Sequence, residues 1–213
     1  MLLAVIAIGL SSCKENGEIV PVVQPTFLNF INADTAALNI YQNGTRLNNI
    51  SAISPGSRSG YLPIPSGAKI YQFKKEGAAD YLINNYPLTL DYLTNYTLYA
   101  AGETADKLFV LKDVFLAGVQ NMAEIRFINA SPATTNFDVY IGNLSFKNQS
   151  FKSATSFNNV AVGATVITIY PSGSTTPVFS KSFTLVVGAT YNLFIKGIPG
   201  NVQNPFSATL LIN

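Results

Sequence analysis

The residues able to do chemistry in this chain are few. Among 213 residues there is one cysteine, Cys13, and there is no histidine or tryptophan. Without histidine, a Ser-His-Asp or Cys-His nucleophile cannot be assembled, and the commonest general base and metal ligand is missing. One thiol cannot close an internal disulfide. The acidic residues number 11, and Asp34, Asp80, Asp91 and Asp138 stand apart from one another. Calcium needs several oxygen ligands at close spacing, and a glycosidase needs two carboxylates on one cleft. No segment offers either, so the expectation is a non-enzyme with no metal and no cofactor. What remains is the thiol. Cys13 follows Ser11, Ser12 and a run, Met1 to Leu10, in which only Gly9 is not apolar. That run has the length of a signal-peptide core and is well short of a bilayer span.

Leu10-Ser11-Ser12-Cys13 resembles the lipobox of bacterial lipoproteins. The resemblance implies that Leu10, Ser11 and Ser12 form the signal-peptidase motif and that Cys13 accepts a diacylglyceryl group. One acyl chain anchors weakly and two or more anchor stably, so the expected partner is a membrane, reached through a lipid on Cys13. No Lys or Arg precedes Cys13; the usual basic start is missing, and the expectation is a true start upstream of Met1. Lys14-Glu15-Asn16-Gly17-Glu18 resembles the Lys-plus-acidic signal of surface-exported lipoproteins of the Bacteroidetes type. Pro21 and Pro25 cannot sit in a central strand, and an extended spacer is expected here. The division that follows is a signal peptide over 1–12 and a lipidated tether over 13–25. The expected location is the cell envelope, as an outer-membrane lipoprotein displayed at the surface.

The elements that must stand behind the tether read as strands. Apolar residues make up 48% of the chain and charged residues 11%, well under the ~25% of an average globular protein. Ser, Thr, Asn and Gln must carry the solvent face. The net charge is +2, with the charges scattered; no basic stripe is present to neutralise phosphates, which argues against nucleic acid. Four blocks recur in the same order, about 95–99 residues apart. Phe30-Ile31-Asn32-Ala33 returns as Phe127-Ile128-Asn129-Ala130. Leu38-Asn39-Ile40-Tyr41 returns as Phe137-Asp138-Val139-Tyr140. Gly67 and Gly77 fall opposite Gly163 and Gly173, and Tyr96, Leu98 and Gly102 opposite Tyr191, Leu193 and Gly197. Repetition of this kind marks tandem units. The period is two within each block: Ile125 and Phe127 point one way, Arg126 and Ile128 the other. Seven to eight short strands in about 90 residues predict a two-sheet sandwich. The expectation is all-β, with two tandem antiparallel sandwich domains at 26–116 and 122–213. The boundary lies in Leu116–Ala123, where alternation fails.

The second unit, with Asn129-Ala130-Ser131-Pro132 and then Asp138-Val139-Tyr140, resembles the bacterial exported domain of unknown function 4397. The first unit carries the pattern loosely, as Asn32-Ala33-Asp34-Thr35 and Asn39-Ile40-Tyr41. The resemblance implies immunoglobulin-like sandwiches outside the cytoplasm and no established activity. Asn32, Asn129 and Asp138 are candidate loop-structuring residues, because such side chains bond nearby backbone N–H groups at turns. Asp138 is expected to serve the same loop as Asn129. Thr35, in Asp34-Thr35-Ala36, resembles an O-glycosylation acceptor of exported Bacteroidetes proteins. Tyr61, Tyr81, Tyr86, Tyr92 and Tyr99 crowd the first unit as a candidate binding strip. Six Asn-x-Ser/Thr triplets follow from the Asn- and Thr-rich surface alone. The functional expectation is a tethered lipoprotein that displays two sandwiches for binding, adhesion or envelope assembly. The alternative is a glycan-binding accessory module with tyrosines as its platform.

Overall fold

A computed structural model describes residues 24–48 and 51–213. Leu10, Ser11, Ser12, Cys13 and all but the end of the tether lie outside the described residues. The first half contains β1 (Pro25–Asn32), β2 (Leu38–Gln42), β3 (Thr45–Arg46), β4 (Arg58–Pro65), β5 (Gly67–Lys75), β6 (Ile83–Leu90), β7 (Asn95–Ala100) and β8 (Leu108–Lys112). The second contains β9 (Met122–Asn129), β10 (Phe137–Ile141), β11 (Leu144–Gln149), β12 (Asn158–Ala161), β13 (Gly163–Pro171), β14 (Phe179–Leu185), β15 (Thr190–Lys196) and β16 (Ser207–Ile212). The sheets of the first half run β4-β1-β7-β8 and β3-β2-β5-β6; those of the second run β12-β9-β15-β16 and β11-β10-β13-β14. The halves therefore match strand for strand.

The chain is all-β and forms two sandwiches, with one departure from antiparallel pairing. β1 pairs with β7, and β9 with β15, in parallel and in the same register: Phe27 lies beside Asn95 and Glu124 beside Thr190. Parallel neighbours need a long crossover, and here the whole outer sheet serves as that crossover. The chain passes from β4 to β5 through Ser66 alone, and from β12 to β13 through Val162 alone. Gly67 and Gly163 make this sharp change of sheet at φ +89° and +97°, a region that other residues enter only with strain.

Period two builds each core. Leu28, Phe30 and Leu98 of one sheet meet Ile40, Tyr71 and Phe73 of the other. In the second half Ile125, Phe127 and Leu193 meet Phe137, Val139 and Ile169. The opposite faces of β1, β7, β9 and β15 are buried as well. Ile31, Tyr99 and Phe109 of the first half pack on Ile128, Ala130 and Phe194 of the second. The two sandwiches thus stack into four layers, with the sheets that hold β1 and β9 inside.

Equivalent residues meet at this junction. Ile31 and Ile128 are counterparts in the repeat, as are Ala33 and Ala130, and Tyr99 and Phe194. The contacts also reciprocate. Phe109 of β8 meets Phe151 before β12, and Thr209 of β16 lies beside Gly56 before β4. That is the pattern of a two-fold interface within one chain. The strands run from one pole to the other. Gln24, the β6–β7 and β14–β15 turns and the 113–121 connection share the tether pole. The loops after β1, β5, β7, β9, β13 and β15 share the far pole.

Candidate functional site

On β10, Phe137, Val139 and Ile141 face the core, so Asp138 and Tyr140 must face out. Register sets Tyr170 of β13 beside Asp138, and Ser145 of β11 beside Tyr140. Tyr140 and Tyr170 meet edge to face, 5.7 Å between centroids. Lys147 reaches across from β11, pairing with Asp138 at 3.0 Å and donating to the Tyr140 hydroxyl. Asp138 also accepts from the Asn148 N–H at 2.8 Å and from Ser172 Oγ at 2.7 Å. The Asn148 N–H, with Ser172 and Lys147, holds Asp138 below the ordinary carboxylate range against partial burial. The Tyr140 and Asp138 oxygens raise Lys147 above its ordinary value. Gly173, Ser174 and Thr175 close the rim of a hollow of about 430 Å³ over this cluster. It combines an aromatic wall, a cation and hydroxyl groups.

The first half repeats the theme with other residues. Tyr41, the counterpart of Tyr140, meets Tyr81 edge to face at 5.6 Å. Lys74 lies 4.5 Å from the Tyr81 centroid and 5.8 Å from that of Tyr41, and donates to the Ala79 carbonyl at 2.7 Å. Among the described residues no carboxylate pairs with Lys74. Asn39 stands in the place of Asp138, buried and accepting from Asn48 at 2.9 Å.

A third polar cluster lies between the sandwiches. Arg126 donates to Asp113 and to Asn192, each at 2.5 Å. The other Asp113 oxygen accepts from Tyr61 at 2.6 Å and Thr97 at 2.7 Å. The guanidinium packs 4.6 Å from the Phe157 ring centre. Burial, then the Asp113 charge, pushes the Tyr61 hydroxyl well above its usual value. Both oxygens of Asp113 are thus engaged by protein donors. This cluster fixes the junction of the two halves.

The candidate residues read from the sequence fall in three places. Asn32 donates to the Ala36 and Ile53 carbonyls, both at 2.7 Å, and accepts from the Asp34 N–H at 2.9 Å. Asn129 donates to the Gln149 carbonyl at 3.0 Å and accepts from the Ser131 N–H at 2.9 Å. Both are buried and tie down the turn that follows the strand. Asp138 does not join the Asn129 loop. Alternation points it outward, where it clamps the irregularity at Asn148 in β11 and the β13–β14 turn. Thr35 is exposed at the far pole.

The five tyrosines form no single strip. Tyr99 is fully buried at the junction, Tyr61 is bonded to Asp113, Tyr86 packs on Phe73, and Tyr92 stands exposed in the β6–β7 turn. Only Tyr81 joins a patch, and its partner is Tyr41. Crowding in sequence misleads here because alternation sends neighbours to opposite faces. The common parity of Tyr41 and Tyr140, off the core in both repeats, was the available signal. Among the described residues no three of His, Cys, Asp and Glu come together as metal ligands would, and no helix is long and apolar enough to cross a membrane.

Fold and patches together define a stacked double β-sandwich with aromatic–lysine clusters on both outer faces. The chain belongs to the family described as Domain of unknown function (DUF4397), whose model matches residues 27–140 and 123–211. A comparison with curated proteins finds no match. Among solved structures the chain is similar to the family CBM26 module CBMbc of Amy13K from Eubacterium rectale, crystallised with maltoheptaose. Identity is 10% over 88% of this chain and 97% of that one, with a TM-score of 0.26. It is also similar to a protein of Bacteroides fragilis described as a cell adhesion protein. There identity is 11% over 98% of this chain and 92% of that one, with a TM-score of 0.24. At these TM-scores neither likeness bears on function.

Proposed function

We propose that the chain is a non-enzymatic lipoprotein of the cell envelope. Acyl chains on Cys13 hold it on the outer membrane, and the double sandwich is displayed for binding or adhesion. The entry point of the chain carries this reading. Gln24 and Pro25 lie at one pole, and Ser66 ties that entry down by donating its N–H to the Gln24 carbonyl at 2.9 Å. The tether from Cys13 to Gln24 reaches at most about 40 Å. Anchored there, the molecule leaves both outer sheet faces and the far-pole loops free. Cells fed a fatty-acid analogue should label the wild-type protein and not Cys13→Ala. Unlabelled wild type, or labelled Cys13→Ala, would refute the anchor.

A glycan is the ligand class that the outer patch of the second sandwich favours. Tyr140 and Tyr170 offer ring surface for the apolar faces of sugars, while Lys147, Ser174 and Thr175 supply hydrogen bonds at the rim. Titration with a panel of soluble oligosaccharides tests it. Tyr170→Ala is expected to weaken binding about tenfold, equivalent to ~1.4 kcal/mol. Unchanged affinity would remove the patch from the reading.

A further inference from the structure

Exposed apolar side chains concentrate at one end of this molecule. Among the described residues fourteen large hydrophobic side chains are exposed, and ten of them sit at the tether pole. The β6–β7 turn presents Tyr92 and Leu93, 47% and 62% exposed. The matching β14–β15 turn presents Val186 and Val187, 56% and 57% exposed. Val114 and Leu116 of the connection between the halves add to them. Charge is sparse in the same place. Among the described residues the ionised groups exposed at the ends and turns around this pole are Asp91 and Lys112, which pair at 3.7 Å, with Lys69 two residues up β5 and Arg46 beside the β2–β3 turn. The far pole is the reverse, with Glu76, Asp80, Glu103 and Asp106 exposed in its loops. Single exposed apolar residues are ordinary, but a concentration of them marks an interaction surface.

The approximate two-fold relation makes this end act as one surface. Equivalent turns of the two halves lie at the same level along the strands, so Tyr92 and Val187 can touch one plane together. The tether identifies the plane. It leaves the fold at this pole and returns within about 40 Å to Cys13. We infer that the tether pole seats on the phospholipid surface, its two turns and the 113–121 connection dipping apolar side chains into the headgroup boundary. Apolar and tyrosine side chains suit that boundary. The strands then stand upright, and the charged loops face away from the membrane. This inference rests on the reading of Cys13 as the anchor.

An introduced tryptophan reports alone, because the chain contains none. Its single thiol can also be coupled to a maleimide phospholipid in phosphatidylcholine vesicles, whether or not cells acylate it. A failed labelling experiment therefore leaves this test intact. Full-length Tyr92→Trp, Val187→Trp and Val202→Trp are coupled in turn; Val202 lies in a far-pole loop and is 85% exposed. Emission from positions 92 and 187 should shift to the blue and be quenched by brominated lipid, while position 202 does neither. Equal behaviour at the three positions, or quenching at 202 alone, would overturn the inference.

Discussion

Asp34 and Ser131 occupy the same place after the repeated Asn-Ala pair, and burial treats them differently. Ser131 donates its hydroxyl to the Gly197 carbonyl at 2.5 Å. Asp34 is 4% exposed and accepts the Thr35 N–H at 2.8 Å, but its second oxygen has no protein donor. Burial raises its pKa, and the Thr35 N–H only partly opposes the rise. A carboxyl raised in the fold adds stability below its unfolded value, here 3.8, and loses it as pH rises through the folded value. At neutral pH the ionised Asp34 therefore weakens the fold. Asp34→Ser should raise neutral-pH stability by about 1 kcal/mol, with the gain vanishing below the ordinary carboxylate range; denaturant midpoints across pH measure it. Arg126 makes the opposite case. It stands where the first half has Asn29, and its partner Asp113 stands where the second half has Asn213. Arg126→Ala strands a buried carboxylate and should cost about 3–5 kcal/mol. Arg126→Met combined with Asp113→Asn removes both charges while keeping an acceptor for Tyr61 and Thr97, and should recover most of that loss in the same unfolding experiment. The sequence places Arg126 off the core by parity, but parity alone does not name the surface it meets.

Strands and turns were the legible part of this molecule. Period two in "FDVYI" and "YNLFIK" placed Val139 and Leu193 in the core, and the structure buries both completely. Gly67 and Gly163 were legible as equivalent positions of the repeat, and the change of sheet that the structure places at both was not. The parallel β1–β7 and β9–β15 pairings were not legible, because local pattern fixes which face a residue presents and leaves the neighbour open. Glycines that look alike in sequence also differ in what holds them. Gly67 has positive φ and open space around the position of a Cβ, so Gly67→Ala should cost about 1–2 kcal/mol from backbone strain alone. At Gly197 a Cβ would lie 2.1 Å from the Pro205 carbonyl oxygen, with φ at +72°. Gly197→Ala must also part β15 from the loop that leads into β16, and should be clearly the more destabilising. Thermal or chemical denaturation of the two variants side by side checks the order.

At the scale of the whole chain, the repeat implied two tandem sandwiches and left their mutual packing open, and the structure shares their inner faces. A strand buried on both faces shows apolar residues at both parities. β7, "NYTLYA", does so: Leu98 serves its own core while Tyr99 serves the junction. Phe194, the counterpart of Tyr99, is likewise buried completely outside either sandwich core. These residues should therefore behave as core residues, and the halves should hold together without their covalent link. Gly118 lies in the exposed stretch 114–121, with nothing within 4 Å of a Cβ built there, so a protease site can be placed at it without disturbing packing. The cut chain is expected to elute as one species of unchanged size. Phe194→Asp buries an unpaired charge against Ile31 and Tyr99, a cost of several kcal/mol, and should release the cut halves as two species. Halves that separate after cutting of the otherwise unaltered chain would show that the shared face contributes little, and that the connection alone keeps the sandwiches together.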